Sequence, residues 1–257
     1  MKYIDVHAHY DDEKFNADME EELKIVRDAG IKYIINAGSS IENSKKSIEI
    51  AKTHDYIFCA IGIHPEYTNE LNMVSELEIM YNRNRQKVVA IGEIGLDYHY
   101  TEEDKEKQKE LFISQMKIAK KLNLPIQIHS RDAVKDMLEI LNHEEILPEK
   151  IMFHCYELNE EITKVIINRG YSVSLGGNIT YKRRDSAINQ IKEIPLSQIM
   201  LETDSPYLAP QDVRGIRNSS KNLHFVAEKI AEIKGITLEE VVDTTYNNAV
   251  KFYNLPE

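Results

Sequence analysis

VVAIGEIG, residues 88–95, is a run of β-branched, small and apolar residues interrupted by a single acid, Glu93. Apolar side chains on both alternations suit a strand buried on both faces, as in a parallel sheet covered by helices. Seven other stretches read the same way: YIDVH (3–7), YIINAG (33–38), YIFCAIGIH (56–64), PIQIHS (125–130), KIMFHC (150–155), YSVSLGG (171–177) and QIMLETD (198–204).

The segments between them carry helical spacing. Phe112, Met116, Ala119 and Leu122 form one apolar face within 103–123, and Leu223, Ala227, Ile230 and Ile233 do so within 222–234. Thr237 and Glu240 fit a capping box, and Gly30 and Gly170 stand where helices should stop. The charged run 102–110 reads as a solvated helix face. Eight such βα units predict an α/β fold, a single (β/α)8 TIM-type barrel occupying 1–257 as one domain. A doubly wound open sheet is the alternative, but neither GxGxxG nor GxxxxGK[ST] occurs. The loop 205–220 would then lie over the mouth of the barrel.

Net charge is −11, which argues against a protein that wraps nucleic acid through bulk charge. An enzyme meeting phosphates at one local positive spot is not excluded. Cys59 and Cys155 sit in apolar runs without a CxxC spacing and read as reduced core thiols. The first residues lack the long apolar core of a signal peptide, and no stretch approaches a membrane span. The expectation is a cytoplasmic protein with no membrane association and no obligate protein partner.

The predicted strands end in chemistry. His7 and His9 close the first, Glu93 the fourth, His129 the fifth, His154 the sixth and Asp204 the eighth. A barrel gathers strand ends into one ring at its mouth. His7 and His9, spaced i, i+2 on an extended segment, point the same way. Carboxylates buried without a lysine or arginine nearby cost several kcal/mol each, and divalent cations are the simplest compensation. Six such residues exceed one tetrahedral ion, which takes about three protein ligands plus water in a catalytic site. They suit two ions bridged by Glu93. The first would take His7, His9, Glu93 and Asp204, and the second Glu93, His129 and His154. Two ions about 3.5–4 Å apart ready a water for attack and clamp the attacking and leaving oxygens. The local charge, roughly +1, favours an anionic substrate. Zinc, manganese, cobalt and nickel suit the imidazoles, and magnesium prefers oxygen.

With these residues in view, HAHYD (7–11), GIHP (62–65), GEIGLDY (92–98), QIHSR (127–131), FHCY (153–156), LETDSPYL (201–208) and NNAVKF (247–252) together resemble the TatD family of metal-dependent deoxyribonucleases. The resemblance runs in order along nearly the whole chain. It implies hydrolysis of DNA phosphodiesters, exonucleolytic on single-stranded ends, with His7, His9, Glu93, His129, His154 and Asp204 as metal ligands. One departure is that Arg217-Asn218 is followed by Ser219-Ser220, where the family usually has glutamate-proline.

Further roles follow. Asp204 is the candidate general base or water-orienting group as well as a ligand. His64 either contacts a substrate phosphate or the nucleophile, or is structural ahead of Pro65. Asp97, on the loop after Glu93, either orients a ligand histidine or caps the loop. Arg131, Lys182, Arg214 and Arg217 are candidate phosphate contacts, or solvated charges. Tyr207 stacks on a base or packs its loop. Two other functions stay open. One is amidohydrolase-type or ester hydrolysis on the same barrel, including deacylation of misacylated tRNA. The other is a non-catalytic metal-binding barrel.

Overall fold

A computed structural model describes residues 1–99, 104–182 and 188–256. Eight strands form one parallel sheet in chain order: β1 (Tyr3–Ala8), β2 (Ile31–Ala37), β3 (Ile57–Ile61), β4 (Val88–Asp97), β5 (Ile126–Arg131), β6 (Ile151–Phe153), β7 (Ser172–Leu175) and β8 (Ile199–Leu201). The ring closes just past β8. There Asp204 donates its backbone N–H to the His7 carbonyl at 3.0 Å, and His9 donates to the Ser205 carbonyl at 2.7 Å. The expected eight strands are all present, with changed ends. β6 and β8 stop one residue before His154 and three before Asp204, and β1 stops one before His9. β4 runs on to Asp97, so Asp97 belongs to the strand and not to a loop.

The helices are α1 (Met19–Asp28), α2 (Ile41–Thr53), α3 (Ser75–Arg83), α4 (Lys105–Leu122), α5 (Val134–Leu141), α6 (Glu160–Arg169), α7 (Ile188–Glu193), α8 (Leu223–Lys234) and α9 (Leu238–Tyr253). Thr237 caps α9, its hydroxyl accepting from the Glu240 N–H at 3.1 Å. Gly170 ends α6 in the left-handed region at φ 68°, where a Cβ would cost energy. Of the charged run 102–110, Glu102 and Glu103 lie outside the described residues. Within the remainder Gln108 is not solvated but buried, its side chain paired with the backbone of Asp97.

Side chains alternate along each strand and make two apolar layers. Ile34, Ile57, Ile91, Ile126, Ile128 and their neighbours pack outward beneath the helices. Ile4, Val6, Tyr33, Ile35, Phe58, Ala60, Ala90, Met152 and Met200 share the second, smaller layer. Phe252 and Tyr253 of α9, with Leu255, join that layer and fill the end of the barrel opposite the strand C-termini. Cys59 is buried and Cys155 half-buried, both without a disulfide. No helix among the described residues is long and apolar enough to cross a membrane.

Candidate metal centre

Strict alternation from Val6 would turn His7 away from the interior. The register shows why it does not. Asp5 pairs with Ile34 and Ala8 with Asn36, so three steps on β1 match two on β2. The same excess occurs where Ile91 pairs with Ile126 and Ile94 with Ile128. Each is a bulge, which inserts one residue and re-aims a side chain. The bulges fall at His7 and at Glu93. Beyond the strands, left-handed residues turn the chain off the barrel at Cys155 (φ 43°) and Asp204 (φ 55°). Aspartate tolerates that region better than most residues.

All six side chains singled out at strand ends converge. The Nε2 atoms of His7 and His9 stand 3.1 Å apart. Asp204 Oδ1 is 3.7 Å from the first and 3.3 Å from the second. Glu93 Oε2 is 3.7 Å from both. The other oxygen of the same carboxylate, Oε1, is 2.9 Å from His129 Nδ1 and 2.9 Å from His154 Nε2. Those two nitrogens are 3.1 Å apart. Donors that share an ion at about 2.0–2.2 Å with angles of about 90–120° stand roughly 3–3.8 Å from one another. Two adjoining donor groups therefore exist, and Glu93 faces each with one oxygen.

Three of the four imidazoles have their other nitrogen occupied. His9 Nδ1 is 2.7 Å from the Ala37 carbonyl, so it carries the proton and leaves Nε2 free. Asp97 Oδ2 accepts from His129 Nε2 at 2.9 Å, leaving Nδ1 free. Asp97 also accepts from the His99 N–H at 2.9 Å, so it orients a histidine and caps the following turn at once. His7 Nδ1 lies 2.8 Å from Gln127 Oε1. His154 is the exception. Its Nδ1 has no hydrogen-bond partner and stands 3.8 Å from Glu202.

Gln127 and Glu202, both fully buried, were not singled out from sequence. Each stands two residues before a chosen residue, His129 and Asp204, which is the spacing that shares a strand face. Glu202 accepts from the Ser174 hydroxyl at 2.5 Å, while its Oε1 has no partner. Together with His7 and His154 it forms a third set of closely placed donors.

The electrostatics call for positive charge. Burial pushes the Glu93 carboxyl up, but His154, His64 and His129 outweigh it and hold the group well below the usual carboxylate range. Burial pulls His9 down, yet the Asp204 hydrogen bond and the Glu93 charge raise it to about 10. His154 and His129 rise for the same reason, chiefly against Glu93 and against Asp97. Carboxylates that draw protons onto His9, His129 and His154 would be matched by divalent cations instead, so the donor set fits metal. His64 behaves differently. Burial drops it to about 3, leaving a neutral ring. Its Nδ1 accepts from the Glu66 N–H at 3.2 Å, and its Nε2 faces Glu93 Oε1 at 3.5 Å.

The family described as "TatD related DNase" matches residues 4–254. The chain belongs to the TatD family. YabD of Bacillus subtilis, named an uncharacterized metal-dependent hydrolase, is 36% identical over 98% of this chain and 99% of its own length. The crystal structure of YjjV, a TatD homolog from Escherichia coli, superposes with a TM-score of 0.92 at 28% identity, covering 99% of this chain and 98% of that one. A TatD family hydrolase from Entamoeba histolytica gives 0.87 at 27% identity over 98% of both chains. This TatD chain is thus a metal-dependent hydrolase.

A cavity of about 350 Å³ opens beside the TatD donor ring. His9, His64, Glu93 and Asp204 form its inner wall, and Ser39, Asn43, Tyr67 and Tyr207 line its sides with Asp11, Asp12 and Glu66. None of the four expected phosphate contacts lines it. Arg217 corrects the expectation for a clear reason. Its guanidinium binds both oxygens of Asp18, at 2.6 and 2.7 Å, and lies over Phe15 on the side of α1. Lys182 is exposed, Arg131 ends β5 half-buried, and Arg214 covers the Tyr181 ring. Tyr207 does reach the cavity, its hydroxyl donating to Asp12 at 2.5 Å. Ser219 and Ser220, the departure from the TatD pattern, turn inward as well. Ser219 donates to Glu22 at 2.5 Å and Ser220 to Asp5 at 2.6 Å, so neither contributes to the donor ring.

Proposed function

We propose that this TatD-family hydrolase cleaves DNA phosphodiesters at single-stranded ends, using two divalent ions bridged by Glu93. The observation that carries the reading is the split carboxylate, with Oε2 toward His7 and His9 and Oε1 toward His129 and His154. His7, His9, Glu93 and Asp204 would hold one ion, and Glu93, His129 and His154 the other. When bound, such a pair polarises a phosphoryl oxygen and acidifies water enough for attack near neutral pH.

The remaining work falls to the chain. Asp204, whose Oδ1 stands 3.3 Å from His9, takes the proton of the attacking water on its other oxygen and returns it to the leaving alkoxide. Neutral His64 has Nδ1 occupied as an acceptor, so its Nε2–H donates to a phosphoryl oxygen at the cavity wall. Tyr207 offers a ring to the terminal base. The test is release of nucleotides from end-labelled single-stranded DNA with manganese, comparing the unaltered chain with Glu93→Ala and His129→Ala. Undiminished release by both variants would sink the proposal.

The cavity supports a second reading. Among the described residues its lining has three outer carboxylates and no lysine or arginine, which suits a neutral or cationic group beside the metals. Amide or ester hydrolysis, including deacylation of misacylated tRNA, would place such a group there. Parallel assays on single-stranded DNA, aminoacyl-tRNA and simple amides at one metal concentration separate the two.

A further inference from the structure

We infer that Gln127 is a positioning residue that sets the tautomer of His7, and that Tyr253 of α9 holds Gln127 in place from the opposite end of the barrel. The inference rests on the proposed reading of His7 as a metal ligand.

The Gln127 side chain is fully buried, so solvent cannot satisfy it. Its Nε2 lies 2.9 Å from the Val6 carbonyl oxygen. A carbonyl can only accept, so the atom facing it must be the amide NH₂. The second amide hydrogen reaches the Tyr253 hydroxyl at 2.8 Å. That hydroxyl has its own proton free to point toward Met152 Sδ at 3.6 Å. With both donors committed, the amide oxygen can face only His7 Nδ1, 2.8 Å away. His7 Nδ1 must then carry the proton, and the Nε2 lone pair points at His9, Glu93 and Asp204. A flipped amide would set its oxygen against the Val6 carbonyl, two acceptors in contact.

The other imidazoles show how much this matters. His9 is fixed by a backbone carbonyl and His129 by a carboxylate, neither of which can reverse its role. His7 alone relies on a neutral side chain, whose orientation is decided by the Val6 carbonyl and which Tyr253 holds in place. The residues that fill the floor of the barrel therefore act on its mouth. Outer partners of this kind typically change metal affinity about 10–100-fold.

The test uses the full chain. Long-range proton–nitrogen correlation spectra of histidine-labelled, chelator-treated protein at alkaline pH report each tautomer, and the His7 signals are assigned by their loss in His7→Gln. The expected result is His7 protonated on Nδ1; protonation on Nε2 overturns the inference. Manganese calorimetry then compares the unaltered chain with Gln127→Leu and the milder Tyr253→Phe. Gln127→Leu is expected to weaken one of two ions about 10–100-fold and to spare the other. Tyr253→Phe, which keeps the Val6 contact, is expected to weaken the same ion by less. Unchanged binding in a folded Gln127→Leu overturns the inference. If Gln127→Leu does not fold, Tyr253→Phe and the tautomer spectrum decide. Absence of manganese binding by the unaltered chain would remove the metal reading instead, with the Nδ1 result still deciding the Gln127 contact.

Discussion

A methyl group on Gly95 would stand 1.9 Å from the carbonyl oxygen of His129. Gly95 also has φ +147°, a conformation closed to most side chains. The close contact comes where β4 and β5 pair Gly95 with His129, two residues past Glu93. Gly95→Ala is expected to push β5 away and to weaken the ion between Glu93, His129 and His154 by tenfold or more. Manganese calorimetry checks this, and an Ala variant that binds two ions normally would refute the packing account.

Glu93 and His129 differ in what their loss removes. Glu93→Ala deletes the group shared by both donor sets, so bound metal should fall by nearly two ions per chain. His129→Ala should lose one. Turnover should drop in each on the order of 10²–10⁴-fold, as for loss of a central catalytic group. Elemental analysis of dialysed protein separates the two variants, and equal metal loss would contradict the bridge.

Arg217 should matter for stability and not for turnover. Its paired contacts with Asp18 and its contact with Glu22 tie the loop after β8 to α1. Arg217→Ala is expected to lower the denaturant midpoint modestly, because the pair it breaks is partly exposed. Turnover should stay within about twofold. Denaturant melts and steady-state rates are the measurements, and a tenfold loss of rate at intact fold would restore Arg217 as a substrate contact.

Asp5 gives a pH signature in the metal-free protein. Burial pushes its carboxyl up to about 7, despite hydrogen bonds from Ser220, Thr203 and the His7 backbone that favour ionisation. The unfolded chain releases that proton near pH 3.8, while the folded chain keeps it until about 7. The unfolded state thus binds fewer protons across this window, and stability falls as pH rises through it. Asp5→Asn abolishes the contribution. Its Tm should change less between pH 5 and pH 8 than that of the unaltered chain, and an equal or steeper change would contradict the assignment.

Metal removal should lower Tm. An ion bound only by the folded state at 100 times its dissociation constant adds about 2.7 kcal/mol. Addition of a chelator to the loaded protein, followed by calorimetric scans, measures the loss.

The sequence made the barrel and the ring legible because both follow from period and position. Near-continuous apolar runs mark buried parallel strands, and polar residues at their ends mark the mouth. The supporting residues were harder to see. Gln127 sits inside an apolar strand as a lone amide, and its meaning depends on Val6 and Tyr253, which are remote in sequence from it. Glu202 was passed over beside Asp204. The bulges at His7 and Glu93 are set by register between strands, which local pattern does not encode. Arg217 misled because a cation in a catalytic-face loop looks alike whether its partner is a phosphate or, as here, Asp18.

The closing of the barrel floor by Phe252 and Tyr253 has a consequence for biosynthesis. A nascent chain that has just emitted Asp204 already carries every donor of the ring, yet its interior is unplugged and Gln127 lacks its tyrosine. The support beneath the ring is therefore complete only when residues 238–253 have left the ribosome and docked.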